Sequence, residues 1–151
     1  MNSYNYDGRV LTIYSLIGVG DYCIDHALKK EEFNLPVVIS DGVKDCSRMF
    51  ADCSSFNQPI VIPNGVKLCG DMFYNCTYVT TIILPETIKY LGQSMFYNCV
   101  RVENLTIKSS SAPSVYGTLT WGTSSTATIQ PYIGAYGRDT GKNKLYVPIG
   151  A

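Results

Sequence analysis

Cys23-Ile24-Asp25-His26 places a thiol, a carboxylate and an imidazole within four consecutive positions. These are the groups of a nucleophile, an orienting acid and a general base. Such chemistry needs the base within hydrogen-bond reach of the thiol and a third group to hold the base in place. Residues one to three apart on a short segment rarely converge in that way. The cluster reads as a polar turn. No catalytic residue is assigned, and the chain is expected to be non-enzymatic.

The other chemistry-bearing residues are the remaining cysteines of a total of six. An even count is compatible with three bridges in a secreted chain, but the spacing argues for another arrangement. Cys53, Cys76 and Cys99 are spaced by 23 residues, and so are Cys46 and Cys69. Same-phase residues stack, and stacked small apolar thiols make a buried row of free cysteines. A zinc site wants cysteine pairs two to four residues apart or nearby histidines. The closest pairs here, Cys46/Cys53 and Cys69/Cys76, are seven apart, and the chain has one histidine. No metal or other cofactor is expected. Asn75-Cys76-Thr77 and Asn104-Leu105-Thr106 match the glycosylation pattern, but a glycan inside a packed repeat would interfere with it, so both are read as chance.

The 23-residue period belongs to more than the cysteines. Met49-Phe50-Ala51-Asp52-Cys53 recurs as Met72-Phe73-Tyr74-Asn75-Cys76 and as Met95-Phe96-Tyr97-Asn98-Cys99. Ile39-Ser40-Asp41-Gly42-Val43 corresponds to Ile62-Pro63-Asn64-Gly65-Val66 and Leu84-Pro85-Glu86-Thr87-Ile88. An apolar residue follows each motif cysteine by three positions: Phe56, Val79 and Val102. Then comes an apolar, mostly β-branched triplet: Val37-Val38-Ile39, Ile60-Val61-Ile62, Ile82-Ile83-Leu84 and Leu105-Thr106-Ile107.

Each triplet reads as a short strand, and Pro-Asn-Gly supplies a turn. A period of 23 lies in the range of leucine-rich repeats. The expected fold is therefore a β/α-type leucine-rich-repeat solenoid. A parallel sheet of short strands forms one wall and short helical turns form the other, with an irregular β-rich C-terminal cap. Met49, Phe50, Met72, Phe73, Met95, Phe96, Cys53, Cys76 and Cys99 are its expected core. No coil can bury its apolar side alone.

The run Ile-Pro-Asn-Gly-Val, Met-Phe-Tyr-Asn-Cys, Val79 and Ile82-Ile83-Leu84-Pro85 resembles the BspA-like leucine-rich repeat. Asn57-Gln58-Pro59 before Ile60 resembles a variant with an insertion ahead of the strand. The resemblance covers roughly residues 35–108, and Lys144-Leu145-Tyr146-Val147-Pro148 resembles a strand that closes such arrays. It implies bacterial surface adhesins and, in gut bacteriophages, virion or fibre proteins. It implies binding and defines no catalytic residues.

Three regions follow. Residues 1–34 lack the Met-Phe motif and read as an N-terminal cap or degenerate repeat, with His26–Glu32 as a candidate helical segment. Residues 35–108 form the repeat array. Residues 109–151 form a C-terminal loop and closing strand. Lys plus Arg equals Asp plus Glu, so the formal net charge is zero. That leaves no electrostatic footprint for nucleic acid or an anionic membrane. No apolar run is long enough to span a bilayer. Met1–Asp7 has neither a basic nor an apolar region of a secretory signal.

Strand alternation directs the middle residue of each triplet outward. The outward row is Val38, Val61, Ile83 and Thr106. A solvated sheet face normally carries polar residues there, so this row is the first candidate for partner binding. Tyr116, Trp121, Tyr132 and Tyr136 in the long C-terminal loop are the second. The expected partners are proteins: a second copy of the chain or other virion components. The missing secretory signal and the initial methionine favour a virion-surface location, such as a fibre, decoration or head-surface protein. The alternative is a fragment of a bacterial cell-surface adhesin.

Overall fold

The computed structural model describes residues 2–88, 90–91, 95–99, 101, 104–108, 114–115 and 144–146. Its strands are short: β1 (Tyr4–Tyr6), β2 (Leu11–Ile13), β3 (Val37–Ile39), β4 (Ile60–Val61), β5 (Thr81–Leu84), β6 (Tyr90–Leu91), β7 (Asn104–Ile107), β8 (Ser114–Val115) and β9 (Lys144–Tyr146). One α-helix, α1 (Gly18–Asp25), follows β2, and a 3-10 turn covers Lys30–Glu32.

Strands β4, β5, β7 and β9 lie side by side and pair in parallel. The register follows the repeat: Ile60 faces Ile82 and Ile82 faces Leu105. Strand β9 pairs with β7 in the same direction. β6 and β8 form a further parallel pair beyond the turn that follows β5.

The expectation that Val37–Ile39 joins this sheet needs correction. β3 pairs in parallel with β2, and the hydrogen-bonded sheet there has the order β1-β2-β3. β3 lies beside β4 without a ladder between them. Pro59 enters β4 with no N–H to give, and side chains bridge this step instead. Asn34 Oδ1 accepts from the Asn57 N–H at 3.1 Å and from the Gln58 amide at 3.4 Å. Residues 1–34 thus hold a strand, Leu11-Thr12-Ile13, in register with Val37-Val38-Ile39. The helix covers Gly18–Asp25 and ends before the segment His26–Glu32.

The interior is built from same-phase rows. Met49, Met72 and Met95 are buried, as are Cys53, Cys76 and Cys99. Cys46, Cys69 and Leu91 form another buried row. The motif phenylalanines stack nearly parallel. Phe50 and Phe73 lie 5.7 Å apart at 1°, and Phe73 and Phe96 lie 6.1 Å apart at 5°. Phe56 stacks on Phe50 at 4.7 Å and Phe33 on Phe56 at 5.9 Å, carrying the column toward the N-terminal end. Full burial of one such ring is worth about 1.5–3 kcal/mol.

The wall opposite the strands is not helical. It consists of successive i→i+3 turns, with Met49 N–H bonded to Cys46 O, Ala51 to Arg48 and Cys53 to Phe50. Left-handed residues interrupt them: Arg48, Asp52, Asp71, Asn75 and Asn98 have φ between 51° and 65°. A residue at positive φ stops a right-handed helix from continuing. The interruption turns alternate N–H groups toward the next coil. Cys46, Arg48, Phe50 and Asp52 donate to Leu68, Gly70, Met72 and Tyr74, and Phe73 and Asn75 donate to Met95 and Tyr97. Neighbouring repeats are therefore hydrogen-bonded through the turn wall, and from β4 onward through the strands as well.

Candidate functional site

The outward row begins from strand alternation. Leu11, Ile13, Ile39, Ile60, Ile82, Leu84 and Leu105 point in and are buried. The residues between them point out. Val38 is 53% exposed and Val61 52% exposed, which makes this an apolar stripe open to solvent. Ile83 and Thr106 are half-buried. Register brings Val61, Ile83 and Thr106 directly alongside one another, and Thr12 alongside Val38. The second candidate set, Tyr116, Trp121, Tyr132 and Tyr136, lies outside the described residues.

The Cys23–His26 segment divides between core and surface. Cys23 is a core residue, and burial raises its thiol pKa. A raised pKa leaves less thiolate to attack. His26 lies on the outer side. Its ring stacks on Tyr22 at 4.0 Å and 22°, and Nδ1 donates to the Tyr22 carbonyl at 2.8 Å.

The other cysteines serve packing. All six are buried thiols. Burial pushes Cys46 and Cys53 up to about 12 and Cys76 and Cys99 well upward. Cys76 Sγ donates to Phe50 O at 2.8 Å and Cys99 Sγ to Phe73 O at 2.9 Å. Each of those carbonyls also accepts an N–H from its own coil, so the thiol uses the second lone pair. Among the described residues no group of three or more His, Cys, Asp or Glu side chains is placed to hold a metal. No described helix is long and apolar enough to cross a membrane.

A groove at the N-terminal end was not visible in the sequence. It holds about 950 Å³ and is lined by Asn2–Tyr6, Tyr14, Ser15, Ile17, Asp21, Asp25 and His26. Tyr4 and Tyr6, two apart on β1, share one strand face. They meet Tyr22 edge-on at 5.6 and 5.3 Å. Two carboxylates of α1 tie this end together. Asp21 accepts from Ser3 Oγ and Asp25 from Tyr4 OH, both at 2.6 Å. The bond to Asp25 pushes the Tyr4 hydroxyl up to about 12, because ionising it would lose that bond and set two anions together. The alternation Tyr4-Asn5-Tyr6 was the one signal that pointed to a strand here.

A comparison with curated proteins and one with solved structures give no match. The family model described as BspA type leucine rich repeat region (6 copies) matches residues 44–116. Those residues contain the turn wall, the phenylalanine column and strands β4, β5 and β7. Over those residues the chain matches the BspA type leucine rich repeat region.

Proposed function

We propose that the chain is a non-enzymatic protein-recognition module, a short solenoid that presents its sheet face to a protein partner. The observation that carries this reading is the pair Val38 and Val61, each about half exposed on the adjacent strands β3 and β4, whose repeats are hydrogen-bonded through the turn wall. Apolar area at fixed spacing is what a protein surface can cover with gain. The assembly we favour is a bacteriophage virion, with the chain as a fibre, decoration or head-surface protein. Zero formal net charge supports it, since a neutral chain does little to oppose the close packing of many copies. A fragment of a bacterial cell-surface adhesin is the alternative and would use the same face.

The test is Val61→Lys, followed by assembly. Val61 is exposed, so the coils should keep their melting temperature. Incorporation into particles, read as copy number in purified virions, should fall. A Val61→Lys protein that assembles and binds like the parent removes the stripe as the contact surface. Absence of the protein from purified virions, with retention on bacterial cells, selects the adhesin reading.

A further inference from the structure

The groove at the N-terminal end has a different composition from the sheet face and stands independently of it. Its backbone comes from β1, the outermost strand of the β1-β2-β3 sheet. Tyr14 N–H donates to Ser3 O at 2.8 Å, and Asp7 N–H to Val10 O at 3.5 Å. Residues 3, 5 and 7 therefore direct their backbone groups at β2. In an antiparallel pair the intervening residues direct theirs the opposite way. Among the described residues the N–H and C=O of Tyr4 and Tyr6 thus form an unpaired strand edge, where an extended segment can add.

Charge sets what that segment must carry. Asp21 and Asp25 are four apart on α1, so they share one helix face, and like charges so placed repel. Each uses Oδ2 for its bond to Ser3 or Tyr4. Among the described residues no lysine or arginine lines the groove. Beside the carboxylates stand the rings of Tyr4, Tyr6 and His26, and cations are attracted to aromatic faces. Ser15 lines the same groove, and its buried hydroxyl oxygen lacks a hydrogen-bond partner among the described residues. A buried hydroxyl without a partner is costly, and a peptide carbonyl would satisfy it.

We propose that this groove binds an extended basic peptide. The peptide pairs with that edge of β1 and places a lysine or arginine side chain between the tyrosine rings and Asp21 and Asp25. It occupies the position that one more coil would take at this end of the sheet. A neutral peptide would leave the two carboxylates uncompensated, and an acidic one would be repelled.

The probe is a labelled Thr-Lys-Thr-Lys-Thr peptide, whose two lysines share one strand face, with its acetyl-lysine counterpart as control. The intact chain should bind the lysine peptide saturably. The acetylated peptide should bind roughly tenfold more weakly or worse, as should the lysine peptide to a variant carrying Asp21→Asn and Asp25→Asn. Asparagine keeps an acceptor for Ser3 and Tyr4, and a thermal melt checks that the variant folds. If it does not, backbone amide shifts of the parent decide, and they should move at residues 2–6 and 14–26. Equal binding of both peptides overturns the proposal, and so do shifts confined to other regions. Competition by a neutral oligosaccharide such as maltotriose, at lower concentration than the lysine peptide, reassigns the groove to sugars. A dimer whose β1 amides are protected and which binds no lysine peptide reassigns the edge to a second copy. Either result overturns the proposal.

Discussion

Asn75 donates its side-chain amide to the carboxylate of Asp52 at 2.9 Å, across 23 residues of sequence, while both backbones hold a positive φ. Asn98 repeats the bond to Asn75 at 3.1 Å. One position of the motif therefore carries two demands, a left-handed backbone and a side chain that bonds along the stack. Asparagine and aspartate are the non-glycine residues that meet both.

Two variants separate these demands. Asn75→Gly removes the two side-chain bonds but tolerates the backbone, and should cost about 1–3 kcal/mol at about 0.5–1.5 per bond. Asn75→Ala loses the same bonds and adds about 1–2 kcal/mol for the left-handed conformation. Urea denaturation should rank parent, glycine and alanine in that order. An alanine variant as stable as the glycine variant would show that the strain is absent.

The phenylalanine column gives a larger effect. Phe73 is fully buried between Phe50 and Phe96. Phe73→Ala should cost about 3–5 kcal/mol in the same assay, the usual loss for a buried ring. An unchanged unfolding midpoint would mean that the ring contributes no packing.

The thiols offer a pH test. Burial raises Cys46 and Cys53 to about 12 from an ordinary value of 9.0. Folding therefore favours the neutral thiol. Its stabilising contribution is full below pH 9 and is lost as pH rises toward 12. The melting temperature should fall across that interval. At pH 8 a thiol reagent should label the motif cysteines only as fast as the chain unfolds, so rapid labelling of native protein would contradict the buried rows.

Gly18 tests the cap. A Cβ there would lie 2.6 Å from the backbone oxygen of Ser3, which the structure cannot accommodate without moving β1. Gly18→Ala should cost about 1–3 kcal/mol, the usual range for overpacking. It should also raise hydrogen exchange at residues 3–7 more than at residues 60–84. Equal exchange in both segments would show that β1 is not held against this glycine.

The repeat was legible because the Met-Phe motif keeps a strict period. Phe50, Phe73 and Phe96 differ by 23 each time, and burial on one side demands that regularity. The turn wall was misread as helical because its conformation depends on positive φ at Arg48 and Asp71, and neither residue type requires it. Leu11-Thr12-Ile13 escaped notice for another reason. It precedes Val37-Val38-Ile39 by 26 residues and has no Met-Phe motif after it, so periodicity could not find it. The groove is assembled by pairs such as Ser3–Asp21 and Tyr4–Asp25, 18 and 21 residues apart, and no local pattern joins such pairs.

From β4 onward, hydrogen bonding through both the strands and the turn wall makes repeat number a gauge of length. Neighbouring parallel strands are about 4.8 Å apart, so each 23-residue unit moves one end of the stack from the other by that step. Duplicating or deleting a whole unit inside residues 44–116 would change reach in fixed increments. Such a change would leave Asp21, Asp25 and Tyr4 at one end as they are, with the β7–β9 pairing intact at the other. A protein that must span a set gap can be tuned this way by copying, with no new interface to invent.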